Sequence, residues 1–336
     1  MQVAKTENQI IAQNEMLTNK AIELANKSKA KNTKRSYSSA ITNKSKNGFL
    51  DICIDLNLDF ESEPINAITK YIANLYDVKG LKISTIKNRL AGVNAYFKIL
   101  NTQNQNNNLP NISDNIVVKS VLAGMVRDAK ESTKESVQNQ GRNKQAKTAS
   151  LFEIQTVISK INTDTKKGKR DKAILLVGLL GGFRRSELTN LKIKDVKFEN
   201  GFVTVTIWNS KTDKNNKGFT KQIPMSSNPN FCAYIALQDW LQARKNCNCE
   251  NVFVSVAKGD KINCKSMSGE SIRLLIKKYL GKDFSAHSLR VSLTVIHKEL
   301  EVNPNYTIDL LGWSSDRMYQ HYSKQANAKK IAKPIF

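Results

Sequence analysis

A mainly α protein of two domains, the second carrying one small β-hairpin sheet, is the fold class the sequence predicts. Apolar residues recur at intervals of three and four through most of both halves, a polar stretch divides the halves, and in one place the period falls to two. A chain of 336 residues also exceeds one ordinary core and fits two domains joined by a linker.

Residues 1–30 read as an N-terminal extension. Ile10, Ile11, Met16, Leu17, Ile22 and Leu24 are scattered among polar residues, without the continuous apolar stretch of a signal peptide or membrane span. Residues 31–126 read as a small helical bundle. Ile65, Ile68, Tyr71, Ile72 and Leu75 mark one amphipathic helix, and Ile83, Ile86, Leu90, Val93 and Phe97 mark another after the Lys79-Gly80 break. From 127 to 148 the composition turns to Lys, Glu, Gln, Asn and Ser, as expected of a solvated linker; a tether and a segment following a phosphate backbone are both compatible with it.

The second domain, 149–336, opens with a helix around Ala149 to Ile161 and a fully apolar run, Ala173 to Leu180, suited to a buried helix. Gly181-Gly182 ends the run, and a new helix begins at Arg184. Val203, Val205 and Ile207 then alternate with Thr204, Thr206 and Trp208, a turn follows from Asp213 to Gly218, and Gln222-Ile223-Pro224 returns as the second strand of a hairpin. Helices are expected from Phe231 to the end, and no repeat of solenoid length is present.

The formal charge of +24, from 53 basic and 29 acidic residues, attracts polyanions and makes nucleic acid the leading partner, with a generally basic soluble protein as the alternative. Cys53, Cys232, Cys247, Cys249 and Cys264 form an odd set without disulfide-framework spacing, so a reducing, cytoplasmic setting is expected, with no membrane partner. A three-sulfur metal site at Cys247, Cys249 and Cys264 is the alternative there, against the usual four ligands of structural zinc.

Three segments carry chemistry. In Gly182-Phe-Arg184-Arg-Ser-Glu187-Leu188, helical spacing puts Arg184 on the face of Leu188 and Leu191, pointing inward, and Arg185 outward; an inward guanidinium needs Glu187 or a phosphate. In Ala286-His287-Ser-Leu-Arg290, His287 and Arg290 share one helical face while Leu289, Leu293, Ile296 and Leu300 form the apolar stripe. The third is Leu310-Leu-Gly312-Trp313-Ser-Ser, followed by Tyr319 and Tyr322. Each match alone is weak: a buried ion pair, an exposed helix face and ordinary aromatic packing explain them singly.

Together and in this order the segments resemble the tyrosine recombinase, or phage integrase, family, whose hallmark is Arg, Lys, His-x-x-Arg, His or Trp, then Tyr. The resemblance covers most of the chain from about residue 30. It implies Arg184 as the first arginine, Glu187 as its acidic support, Lys211 of Ser210-Lys211-Thr212-Asp213 as the hairpin lysine, His287 and Arg290 as the central pair, and Trp313 at the His or Trp position, as in Cre-like members. Lys214, Lys217 and Lys221 compete with Lys211. The family's nucleophile follows the Gly-His or Gly-Trp position by nine residues, which falls on Tyr322 and leaves Tyr319 to packing.

The resemblance further implies a two-domain, C-shaped DNA clamp: a helical, SAM-like core-binding domain with Thr33 and Tyr37 entering its first helix, and an α-rich catalytic domain. Its implied activity is site-specific cleavage and rejoining of double-stranded DNA through a 3′-phosphotyrosine and a Holliday junction. Paired inverted-repeat sites, a homotetramer on DNA, association with the nucleoid in a prokaryote and room for accessory DNA-bending proteins come with it. No cofactor is expected, neither ATP nor a divalent metal. The tail beyond Tyr322, with Ile331, Ile335 and Phe336, is expected to dock either on a neighbouring subunit or on its own chain. A catalytically silent DNA-binding protein and a type IB topoisomerase are the alternatives.

Overall fold

This computed structural model describes residues 30–103, 108–142, 146–208 and 218–330, with Lys31 and 325–330 described by backbone only. The chain divides into two compact units, Met1–Lys144 and Gln145–Phe336.

The first unit is all-α, in the order α1 (Lys31–Ile41), α2 (Phe49–Asp55), α3 (Pro64–Ala73), α4 (Ile83–Gln103), α5 (Ile116–Glu131) and α6 (Glu135–Gly141). Pro64 opens α3 at a position whose N–H has no intrahelical partner, so its missing donor costs nothing. Ile68, Tyr71 and Ile72 of α3 and Leu75 of the following π turn are buried, and Ile65 lies at the rim. All five apolar positions expected in α4 are buried. Phe49 of α2 meets the rings of Tyr71 and Phe97 edge-on, with centroids 5.3 and 5.7 Å apart. Asn94 supplies the polar contact in this core: its side chain donates to Ser113 Oγ and accepts from the Ile112 amide at 2.9 Å, pinning the loop before α5.

The stretch from 127 that the sequence presents as a solvated linker is folded as far as Arg142. Helix α5 runs on to Glu131 with Ala129 buried, and Gln140 of α6 donates to the Tyr76 carbonyl at 2.6 Å. Its packing uses small side chains: a Cβ added at Gly141 would lie 2.9 Å from the Ala129 Cβ. Contact made through alanine, glycine and an amide leaves no apolar periodicity to read.

The second unit begins with α7 (Leu151–Ser159), started by a reciprocal cap between Ser150 and Glu153. Helix α8 (Lys166–Leu180) carries the apolar run and is buried from Ala173 to Leu179. After α9 (Arg185–Asn190) come β1 (Val196–Glu199), β2 (Phe202–Ile207) and β3 (Phe219–Pro224), an antiparallel sheet in that order. Val203 faces Ile223 and Val205 faces Lys221 across the expected hairpin. Helix α10 (Ala233–Ala243) packs on α8. Strands β4 (Val254–Val256) and β5 (Ile262–Ser266) form a second sheet where only helices were expected, and β1 was likewise not anticipated. These strands are too short to show a period. Helices α11 (Gly269–Leu280), α12 (Ala286–Glu299), α13 (Pro304–Leu311) and α14 (Arg317–Lys330) complete the unit.

The sequence offers no disulfide-framework spacing, yet the fold brings Cys247 and Cys264 together, joining the loop after α10 to β5. Pairing depends on the 5.5 Å approach of their Cα atoms, which residue spacing does not reveal. Among the described residues no His, Cys, Asp and Glu cluster suits a metal ion, and no helix is long and apolar enough to cross a membrane.

Candidate active site

The turn between α8 and α9 sets the first arginine. Gly182 adopts φ +54°, a conformation that favours glycine, and a Cβ there would meet Leu311 of α13 at 2.1 Å. The turn therefore lies directly against the end of α13. Arg184 is not inside a helix, as the spacing argument had it; it is the N-cap of α9, with extended backbone. Its half-buried side chain donates to Glu187 at 2.7 Å, and Glu187 also accepts the Arg184 backbone N–H at 2.9 Å. Arg185 is exposed, as expected, and Glu187 is buried.

Helix α12 contributes the second arginine and the histidine. Its N-terminus is capped by Ser285 and Ser288. Leu289, Leu293 and Ile296 are buried, whereas Leu300, read as part of the same stripe, caps the helix and is exposed. Arg290 is buried; it donates through one terminal nitrogen to the Gly182 carbonyl at 2.6 Å and through the other to the Leu311 carbonyl. Two of its five N–H donors thus hold the α8–α9 turn to the end of α13. His287, three residues earlier, has its pKa lowered by desolvation and then by the positive charges of Arg290 and Arg184.

Helix α13 stops at Gly312, whose left-handed φ of +59° turns the chain so that Trp313 faces back toward α12. The Arg290 guanidinium lies over the Trp313 ring at 5.4 Å. Tyr322 of α14 stacks on Trp313, with centroids 5.9 Å apart, and its hydroxyl is 3.2 Å from His287 Nε2. Tyr319 is buried in packing, as expected. Burial raises the Tyr322 pKa, and the charge of Arg290 opposes this, so the phenol needs a base. His321, overlooked in the sequence, sits against the Tyr322 ring with centroids 5.0 Å apart; adjacency to Tyr322 was the only signal available.

Lys211, Lys214 and Lys217 lie outside the described residues, as do Ile331, Ile335 and Phe336 and the N-terminal extension before Ala30. The remaining competitor, Lys221, is fully buried on β3, and its ammonium donates to the carbonyls of Gly181, at 2.7 Å, and Leu310. Both contacts are with backbone, so Lys221 does not present its proton to a surface-bound substrate. Beside Glu187 a groove of about 790 Å³, bordered by Lys192, Lys194, Trp208 and Ser268, opens to solvent.

Arg184, Glu187, His287, Arg290, Trp313 and Tyr322, drawn from four separate segments, thus meet at one place in the second unit. A model of the phage integrase family matches residues 148–329, and the chain belongs to that family. It is 26% identical over 328 residues to the integrase/recombinase xerD homolog of Selenomonas ruminantium, covering 95% of this chain and 89% of that one. It is 32% identical over 158 residues to the tyrosine recombinase XerA of Pyrococcus horikoshii, covering 46% and 50%. The Tn1549 transposon integrase in complex with transposon right end DNA shares the fold at a TM-score of 0.59 and 19% identity, covering 93% of this chain and 98% of that one. XerH site-specific recombinase bound to its difH substrate does so at 0.55 and 20%, covering 79% and 70%.

Proposed function

We propose that this protein is a site-specific DNA recombinase that cuts and rejoins double-stranded DNA through a covalent link to Tyr322. The contact of the Tyr322 hydroxyl with His287 Nε2, beside Arg290 and Trp313, carries this reading.

In-line displacement at a phosphodiester builds negative charge on the non-bridging oxygens, so catalysis rests on positioned cations and donors. Arg184 and Arg290 supply planar forks for those oxygens, with Glu187 orienting the first. His287, held neutral at pH 7 by its lowered pKa, accepts the phenolic proton as Tyr322 attacks phosphorus. Phosphorus leaves its bond to the 5′ oxygen, which takes a proton from Lys211, and a 3′-phosphotyrosine results. Trp313 donates its indole N–H to the phosphate without titrating. Attack by a free 5′ hydroxyl on the phosphotyrosine reverses the chemistry and releases Tyr322, so neither ATP nor a divalent metal enters the balance.

Residues 31–126 would act as the helical core-binding domain and 149–336 as the catalytic domain. A homotetramer would join two paired inverted-repeat sites through a Holliday junction. The charge of +24 supports a phosphate-rich partner, and affinity should fall steeply as salt rises.

The test is incubation, with EDTA present, on DNA flanking the protein's own gene, comparing wild type with Tyr322→Phe for a detergent-resistant protein–DNA adduct. An adduct lost in the variant is expected. One that survives moves the nucleophile elsewhere, with Tyr319 next. None from either protein, despite binding to an intact site, would favour a silent DNA-binding role; relaxation of any supercoiled DNA without site pairing would favour a topoisomerase. Because His287 must be neutral, the cleavage rate should fall as pH drops through the lowered His287 pKa, below the ordinary 6.5.

A further inference from the structure

A lysine in an apolar core is costly unless something specific holds its charge. The Lys221 side chain is fully buried, with the rings of Phe183 and Phe219 at 5.1 and 5.2 Å from its ammonium. Its two hydrogen-bond acceptors are not arbitrary. Gly181 caps the C-terminus of α8 and Leu310 lies in the last turn of α13, so both carbonyls belong to helix ends that lack intrahelical donors and carry partial negative charge.

Arg290 makes the same bridge one residue further along each segment, from Gly182 to Leu311. Two cations therefore stitch the same two helix ends in parallel, immediately before Arg184 on one side and Trp313 on the other. The two bridges differ in availability. Arg290 is a phosphate-binding arginine in the mechanism above and must turn donors toward DNA, whereas Lys221 faces only protein. When Arg290 shifts its donors to a phosphate, the Lys221 bridge remains to hold the ends together.

We infer that Lys221 is a positioning residue of strand cleavage, a buried clamp that fixes the spacing of the Arg184 and Trp313 turns while Arg290 engages the phosphate. This inference rests on the recombinase reading. Burial works most strongly against the charge of this ammonium, Glu187 supports it, and Arg290 and Arg184 oppose it, so the charged groups acting on it are those of the site.

The experiment compares wild type, Tyr322→Phe, Lys221→Met, Lys221→Gln and Lys221→Arg on a nicked site, measuring folded fraction, DNA affinity and the rate of adduct formation at saturating protein. Methionine keeps the side-chain volume and removes both donors, glutamine keeps an amide on a shorter reach, and arginine keeps the charge. The expected result is a folded Lys221→Met or Lys221→Gln protein that binds DNA within about threefold of wild type but cleaves on the order of 10²-fold more slowly, the size of effect that a misplacement of about 1 Å produces. Lys221→Arg should recover to within about tenfold of wild type.

Neutral variants that cleave at the wild-type rate overturn the inference. So does a series in which cleavage falls only as far as the folded fraction and DNA affinity fall, with arginine no better than methionine, because that is the pattern of a core residue. An adduct absent from wild type, or present with Tyr322→Phe, would instead overturn the recombinase reading and take this inference with it.

Discussion

The two units solve burial differently. Among the described residues, the first unit buries no charged side chain; its only buried polar ones are the amides Asn94 and Gln140. The second buries Arg170, Asp171, Glu187, Lys221, Arg244 and Arg290. Since a buried charge costs several kcal/mol unless paired, the contrast locates where something other than stability shaped the sequence. Buried charge is not sufficient, however. Arg170 and Asp171 are chain neighbours closed into a knot with Tyr279, and Arg244 donates to the carbonyls of its own following loop. At the candidate site, by contrast, the buried cations Lys221 and Arg290 come from β3 and α12 and both join the end of α8 to the end of α13.

The sharpest way to break this distinction is to remove one charge of each kind. Asp171→Asn leaves Arg170 without its anion and should cost about 3–5 kcal/mol in unfolding free energy by denaturant titration, while the folded fraction cleaves DNA at the wild-type rate. Arg290→Lys should do the reverse, slowing adduct formation by about 10²–10³-fold with DNA affinity kept, because an ammonium cannot reproduce the planar fork. A cleavage defect in the first variant, or none in the second, would erase the contrast.

A third test uses pH. Burial brings the Lys221 pKa down from 10.5 to about 7, so the unfolded chain binds this proton more tightly than the folded one. The contribution of Lys221 to stability is fully present above 10.5 and lost as pH falls through about 7. The stability of wild type relative to Lys221→Met should therefore rise between those values, by at most about 1.4 kcal/mol per pH unit. Paired urea titrations across that window would show it, and a flat difference would contradict it. The smallest effect belongs to a local motif: Ser150→Ala removes the cap of α7 and should cost about 1 kcal/mol, with no change in cleavage per folded molecule.

The same contrast explains what could be read from the sequence. Ile83 to Phe97 was legible because helical burial depends on spacing along one segment. That Tyr322, His287 and Arg290 would meet was legible because motif order survives without coordinates. Arg184 was placed by the wrong geometry: it caps α9 rather than riding inside it, and its inward turn follows from Gly182 and from Glu187. The Lys221 bridge was illegible, since it depends on the register that sets Lys221 opposite Val205 and on the meeting of two distant helix ends. The folded segment 127–142 was missed because small residues and one amide make its contacts.

The helix carrying Tyr322 packs against α12 of its own chain, which places the Tyr322 hydroxyl beside the same molecule's His287. In an assembly of several copies, no subunit would then need to lend its nucleophile to a neighbour. Mixing Tyr322→Phe chains with Arg290→Ala chains should give complexes without one complete set of cutting groups, and they should stay inert. Each copy would be answerable for its own strand, and coordination between strands would have to lie in when each site is allowed to act rather than in who supplies its parts.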